Sequence, residues 1–213
     1  MEYLLYGKWR FVNNKWEAEN SQVLKEKVNS YIHIVFSLDN GWMLSLSDLR
    51  KFAKVELWDR DAFLNSKEYN LIGPEPLEKS FTFERFKKIL ERNKWRIKKL
   101  LMDQSAIAGI GNIYADEILW ASKVHPRKEV AKISDKEAKN IYENIKKILT
   151  KAVELRGESF SDFRDLMGEK GFFDSERKAY QREGEKCSRC GIKIKRIKIN
   201  GRSSHYCPHC QKL

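Results

Sequence analysis

Four cysteines near the C-terminus constrain this chain more than any other feature. Cys187-x2-Cys190 and Cys207-x2-Cys210 are two CxxC pairs separated by 16 residues. Each pair can form a turn presenting two thiolates, and the two together complete a tetrahedral Zn2+ shell. A closed four-cysteine shell leaves no open position, so the site is structural. Zinc supplies folding free energy that so short a segment could not obtain from a core of its own. His205 and His209 could each replace a cysteine, but four thiolates already suffice. Between the pairs, "GIKIKRIKINGRSSHY" reads as two strands joined at Asn200-Gly201, a tight-hairpin signal. Lys193, Lys195, Arg196, Lys198 and Arg202 load that hairpin with positive charge suited to gripping phosphates.

The charge extends beyond the hairpin. The 213 residues carry 42 Lys+Arg against 30 Asp+Glu, a net charge of +12. Such a balance favours polyanionic partners, nucleic acid first and an anionic membrane surface second. No apolar run approaches a membrane span, and "MEYLLYGKWRF" lacks the features of a signal peptide. The expected location is therefore the cytoplasm, where thiols stay reduced and cysteines serve as metal ligands.

Along the chain, roughly the first 60 residues read as strands. "YIHIVFSLDNGWMLSLS" predicts a hairpin turning at Asp39, Asn40 and Gly41, and "KFAKVELWD" predicts a further strand. The chain opens on the strand-like "YLLYGKWRF" without a lead-in, and three or four strands make a poor core alone. "LIGPEPLEKS" has linker character. Helical periodicity follows: Phe83, Phe86, Ile89 and Leu90, then Ile97, Leu100 and Leu101, then a helix over roughly Ile113–Ser122. "SDKE" at Ser134–Glu137 is a capping box opening an amphipathic helix that ends near Gly157. From "GESFSDF" to "GEKGFFDSERKAYQREGEK" a long glycine-punctuated loop is expected. Taken alone, "AGIGN" (Ala108–Asn112) is either a tight turn between buried helices or a phosphate cradle.

The segments "LIGPEPL", "IKKLLMDQSAIAGIGNIYADEIL", "VHP" and "REGEKCSRCG…GRSSHYCPHCQK" appear in this order. Together they resemble the formamidopyrimidine-DNA glycosylase and endonuclease VIII family of base-excision repair enzymes, over essentially the whole chain. "DLRKF" at Asp48–Phe52 is similar to an element of the formamidopyrimidine branch. The resemblance implies an α+β fold with four parts. Residues 1–65 would be part of an N-terminal β-sandwich, 66–80 a linker, 81–180 a helix–two-turn–helix domain and 181–213 a four-cysteine zinc finger. It implies one structural Zn2+ held by Cys187, Cys190, Cys207 and Cys210. The partner would be double-stranded DNA containing oxidised bases or abasic sites, bound by a monomer in the nucleoid. The family reaction excises oxidised purines such as 8-oxoguanine and formamidopyrimidine, then cleaves the strand as an AP lyase through a Schiff base.

Residue by residue, the resemblance makes "AGIGN" both turn and phosphate cradle, with Asn112 opening the next helix. It places Lys98, Asn112, Tyr180 and Arg202 on the DNA backbone, and gives Arg202 a part in the last elimination step. Arg50 and Phe52 would fill the gap left by the flipped nucleotide. Leu5 falls near the place of a third gap-filler. Gly168–Phe173 occupies the place of the lesion-reading loop.

This sequence also departs from the family pattern. The family nucleophile is an N-terminal proline amine, followed by a glutamate and, later, a hairpin lysine, and none of these three matches a position here. Glu2 follows methionine and lies in another strand, the proline of the "DLRKF" element is Leu49, and the next glycine is Ala53. Three arrangements are expected to be open: a start upstream of Met1, a DNA-binding fragment, or an enzyme whose N-terminal piece is a separate chain. The chain as written is expected to bind DNA and to be a weak or inactive glycosylase. The competing expectation is a non-enzymatic zinc-ribbon protein that binds nucleic acid.

Overall fold

The computed structural model describes residues 2–19, 21–158 and 164–213. Of the loop expected over Gly157–Lys186, residues 159–163 lie outside the described residues, as do Met1 and Asn20. The chain divides into two compact units, Met1–Leu57 with Ala152–Ser175, and Trp58–Lys151 with Glu176–Leu213.

The first unit is built on β1 (Glu2–Gly7), β2 (Trp9–Val12), β3 (Lys15–Ala18), β4 (Ile32–Ser37) and β5 (Met43–Asp48). β5 is central in an antiparallel sheet of order β1-β5-β4, while β2 and β3 pair as a separate hairpin. The expected turn between β4 and β5 is present, with Gly41 at φ +76°. Strand alternation divides the three-stranded sheet into two faces. Tyr3 and Leu5 point into a small core with Trp9, Ala18 and Leu24. On the other face Leu4, Ile34 and Phe36 remain 40%, 37% and 39% exposed. The strand expected over "KFAKVELWD" does not form: residues 52–59 have no ladder partner among the described residues. A strand exists only with a neighbour for its N–H and C=O groups, and here Val55 and Leu57 project into solvent.

The second unit begins with two short helices, α1 (Arg60–Leu64) and α2 (Lys67–Asn70), capped by the Asp59 and Ser66 side chains. α3 (Phe83–Glu91) starts at the Thr82 cap and buries Phe86 and Leu90. α4 (Ile97–Leu101), α5 (Asn112–Ser122) and α6 (Asp135–Glu154) complete the helices. Their apolar stripes meet in one core that includes Phe81, Phe86, Ile97, Leu101, Ile118 and Ile141, all fully buried. The capping box is made in both directions: Glu137 N–H donates to Ser134 Oγ at 3.3 Å, and Ser134 N–H to Glu137 Oε2 at 2.9 Å.

"LIGPEPL" is tied down rather than loose. Gly73 N–H donates to the Gln104 carbonyl at 2.7 Å, and Ala108 N–H to the Pro74 carbonyl at 3.1 Å. A Cβ at Gly73 would lie 2.7 Å from the Ala106 backbone, so glycine permits this approach. At the C-terminus, β6 (Lys195–Ile199) and β7 (Arg202–Tyr206) form the expected hairpin. Asn200 and Gly201 sit at φ +48° and +76°, as a two-residue turn of the favoured hand requires. No helix among the described residues is long and apolar enough to cross a membrane.

Candidate nucleic-acid interface and metal centre

The sulfurs of Cys187, Cys190, Cys207 and Cys210 all lie within 4.8 Å of one another. All four cysteines are free thiols, with Cys187 and Cys207 buried. Burial alone would raise Cys187. The N–H groups of Arg189 and Cys190 and the Trp120 indole outweigh that and bring it down to about 7. Burial and the neighbouring sulfurs raise Cys207, and push Cys210 up to about 12. Four crowded thiolates repel one another unless a cation sits among them, and a divalent ion removes the conflict. Donor set, crowding and N–H support together fit one structural zinc.

The turn before α5 is held by Gln104. Its Oε1 accepts from Gly109 N–H at 2.9 Å, and its Nε2 donates to the Ile110 carbonyl at 2.9 Å. Gly109 occupies φ +76°, where glycine costs least, whereas Gly111 is in extended backbone at φ −98°. Gly111 serves α5 differently. As the N-cap it brings no side chain, and a Cβ there would meet nothing within 4 Å. The helix N-terminus, with its positive dipole end, therefore lies open to an anion. Asn112 stands at this end, and its Oδ1 has no hydrogen-bond partner among the described residues.

One turn further, α5 carries two adjacent buried acids. Glu117 accepts the backbone N–H groups of Lys178, Ala179 and Tyr180 at 2.8, 3.0 and 2.7 Å. Burial raises its pKa despite these donors. Asp116 accepts from Lys98 Nζ at 2.6 Å, Ser204 Oγ at 2.8 Å and His205 N–H at 2.8 Å. Thus α5 grips both the approach to the zinc hairpin and the hairpin itself. The Tyr180 and His205 rings meet edge-on at 5.2 Å.

Lys98 is 1% exposed, and its ammonium also donates to the Ser203 carbonyl at 2.8 Å. Burial lowers its pKa, with Asp116 opposing. Two of its three donors are thus committed inside the protein. A groove of about 330 Å3 is lined by Lys98, Lys99, Asn200 and Arg202, with Met102, Asp103 and Ile199. Lys99 is exposed, its ammonium 3.8 Å above the Trp95 ring. The second unit thus brings Lys98 and Arg202 to one groove, and puts Asn112 and Tyr180 on elements fixed by the same helix. Asp116, Glu117, Gln104 and Lys99 were not singled out by sequence reasoning. The acidic pair in "YADE" was the available signal, but only tertiary contacts give it meaning.

Arg50 and Phe52 belong to the first unit. Asp48, buried at the end of β5, accepts from Ala53 N–H at 2.8 Å and Arg50 N–H at 2.9 Å. Led by the Ala53 bond, these backbone donors hold its carboxyl below the usual range against the cost of burial. The turn built on it leaves Phe52 75% exposed, with the Arg50 guanidinium 5.6 Å from its ring. Leu5, by contrast, is 0% exposed in the first-unit core. It cannot fill a gap in DNA, because the alternation that makes β1 a strand turns it inward. The Gly168–Phe173 loop is anchored at both ends: Gly168 accepts from Asn29 Nδ2 at 3.4 Å, and Phe173 is buried.

A four-cysteine hairpin clamped to a helix–turn–helix core, beside a cation-lined groove, defines a zinc-finger protein of the helix–two-turn–helix class. The comparisons narrow that class. Residues 72–164 match the formamidopyrimidine-DNA glycosylase H2TH domain, and residues 184–213 match the zinc finger found in FPG and IleRS. The formamidopyrimidine-DNA glycosylase of Heliobacterium modesticaldum is 40% identical over 188 residues, covering 88% of this chain and 68% of that protein. That of Ligilactobacillus salivarius is 40% identical over 87% of this chain and 67% of its own length. The chain belongs to the formamidopyrimidine-DNA glycosylase family. Among solved structures, the Lactococcus lactis Fpg bound to abasic-site DNA aligns with a TM-score of 0.81 at 32% identity, covering 100% of this chain and 72% of that one. The same enzyme bound to FAPY-dG DNA aligns with a TM-score of 0.80 at 32% identity, with the same coverage.

Proposed function

We propose that this chain recognises damaged duplex DNA as the gripping body of an oxidised-purine glycosylase, acting as a monomer on the nucleoid. The observation that carries this reading is the clamp on α5: an open helix N-terminus at Asn112, with Asp116 and Glu117 fixing the strand that begins at Arg202 and the segment that ends at Tyr180. Asn112, Tyr180 and Arg202 contact phosphates along one strand, and Lys98 reaches them with its remaining donor. Arg50 and Phe52, an exposed cation–aromatic pair, fill the space of the flipped nucleotide. In the family's reaction Arg202 takes part in the elimination step.

The groups that start that reaction, an N-terminal proline, its glutamate and a hairpin lysine, match nothing in these 213 residues. The chain spans about two thirds of the length of its curated relatives. The exposed face of Leu4, Ile34 and Phe36 supports association of the first unit with further polypeptide.

The test is a titration of the zinc-loaded chain with duplexes carrying 8-oxoguanine, an abasic site or no lesion, each repeated with borohydride. The expected result is tighter binding to the abasic and 8-oxoguanine duplexes, without an 8-oxoguanine-specific covalent band. Equal affinity for all duplexes, or tighter binding to single-stranded RNA, would sink the repair reading. A lesion-specific band would require a nucleophile other than the family's proline. Arg202→Ala is expected to flatten the salt dependence by roughly one unit, as loss of one phosphate contact does.

A further inference from the structure

The DNA reading uses Asp116 only as part of the clamp that holds the hairpin strand. We propose that Asp116 is a positioning residue that sets Arg202 against the DNA backbone by fixing the hairpin strand, without touching the DNA. The proposal rests on Arg202 being a phosphate contact.

Both Asp116 oxygens are occupied, and their partners adjoin Arg202 in sequence. Oδ1 accepts from Lys98 Nζ and Ser204 Oγ, and Oδ2 accepts the His205 backbone N–H at 2.8 Å, with His205 Nδ1 at 3.2 Å. Lys98 closes the ring by donating to the Ser203 carbonyl. Three consecutive residues after Arg202 are therefore captured by one carboxylate and its counter-ion. Arg202 and Ser204 lie two apart in a strand, so their side chains share a face, about 7 Å from each other along the backbone. A displacement at Ser204 therefore passes to Arg202 almost undiminished.

The charge of the carboxylate matters as well as its shape. Lys98 and Asp116 are ion-paired at 2.6 Å with side chains 1% and 0% exposed. An amide at 116 would leave the ammonium without its counter-ion. It would also turn one acceptor into an N–H donor facing either the His205 N–H or the lysine. The strand would then shift or lift while the four cysteines, which lie outside this network, kept their metal.

The experiment uses the full zinc-loaded chain and a duplex with a tetrahydrofuran abasic analogue. Asp116→Asn, Ser204→Ala and Arg202→Ala are compared singly, and each of the first two is combined with Arg202→Ala. Zinc content, amide exchange at Ser204 and His205, and duplex Kd are measured. Zinc should stay at one per chain and exchange at His205 should quicken. Kd should weaken about tenfold for Asp116→Asn and about threefold for Ser204→Ala, within the coupling range of groups in one network. In the Arg202→Ala background neither change should cost more than about twofold, because the residue being positioned is gone. Additive losses in the double variants would overturn the proposal alone, and so would faster exchange with an unchanged Kd. An unchanged Kd for Arg202→Ala would overturn the DNA reading and the proposal with it. Should Asp116→Asn fail to hold zinc, Ser204→Ala, which keeps the ion pair, decides the question by the same criteria.

Discussion

The two units bury their apolar residues to very different degrees. In the second, four helices enclose one continuous core, with a metal-held hairpin docked by buried acids. In the first, a three-stranded sheet covers one face and leaves Leu4, Ile34 and Phe36 open to solvent. A helical bundle satisfies its backbone within each helix and needs only side-chain packing from its neighbours. A sheet needs partner strands at its edges and a layer on each apolar face, so it depends more on polypeptide distant in the chain. The recognition half of this family's chemistry is thus self-supporting, whereas the half bearing Arg50 and Phe52 has apolar surface to spare.

Metal removal should divide the second unit most sharply. Cys187→Ala, or a strong chelator, should abolish zinc binding and unfold the hairpin, since structural zinc contributes on the order of 10 kcal/mol. The α3–α6 core contains none of the four cysteines and should keep its helical circular dichroism. If that helical signal collapsed with the metal, the core would not be self-supporting. Next in size, Phe86→Ala, at a fully buried position, should cost roughly 3–5 kcal/mol in denaturant unfolding. Phe36→Ala, in the first unit, should cost less than about 1 kcal/mol. Comparable losses would mean that something covers the open face.

Glu117→Ala removes the acceptor of three backbone N–H groups and should cost about 3 kcal/mol, with exchange quickening at Lys178–Tyr180. A loss confined to Tyr180 would show that the three bonds do not act together. Glu137→Ala breaks the capping box and should cost about 1 kcal/mol in thermal unfolding. The smallest effect is pH-dependent and belongs to the first unit. The Asp48 carboxyl is held low by the Ala53 and Arg50 N–H groups, so the folded state favours its ionised form. That contribution is fully present above the ordinary aspartate pKa and is lost as pH falls through the lowered folded value. Acid should therefore loosen Arg50–Ala53, read by amide exchange, and Asp48→Asn should remove the dependence.

Local chemistry made much of this molecule legible from its residues. The CxxC pairs, Asn200-Gly201, the Ser134–Glu137 box and the 3.6-residue periodicity each depend on neighbours within a few positions. The "AGIGN" turn was readable only in part, since of its two glycines Gly109 alone takes a positive φ. "KFAKVELWD" has the composition of a strand, yet pairing is a property of two segments and no described segment pairs with it. Leu5 could not be separated from an exposed position by composition, because one residue of register decides which face it occupies. Lys98 was legible as a cation but not as a buried one.

By itself, then, the sequence determined the metal ligands, the helices α3–α6, the hairpin turns and the family, because these rest on spacing and local backbone preference, whereas the short α1 and α2 were not anticipated. Tertiary structure alone decided that residues 152–175 join the first unit, that Lys98 is committed to Asp116, and that Glu117 holds the approach to the hairpin. Those outcomes join residues distant in the chain, Asn29 and Gly168 among them at 139 positions apart. No local preference encodes such a meeting, since it forms only when packing removes water from charged groups and leaves each other as their available partners.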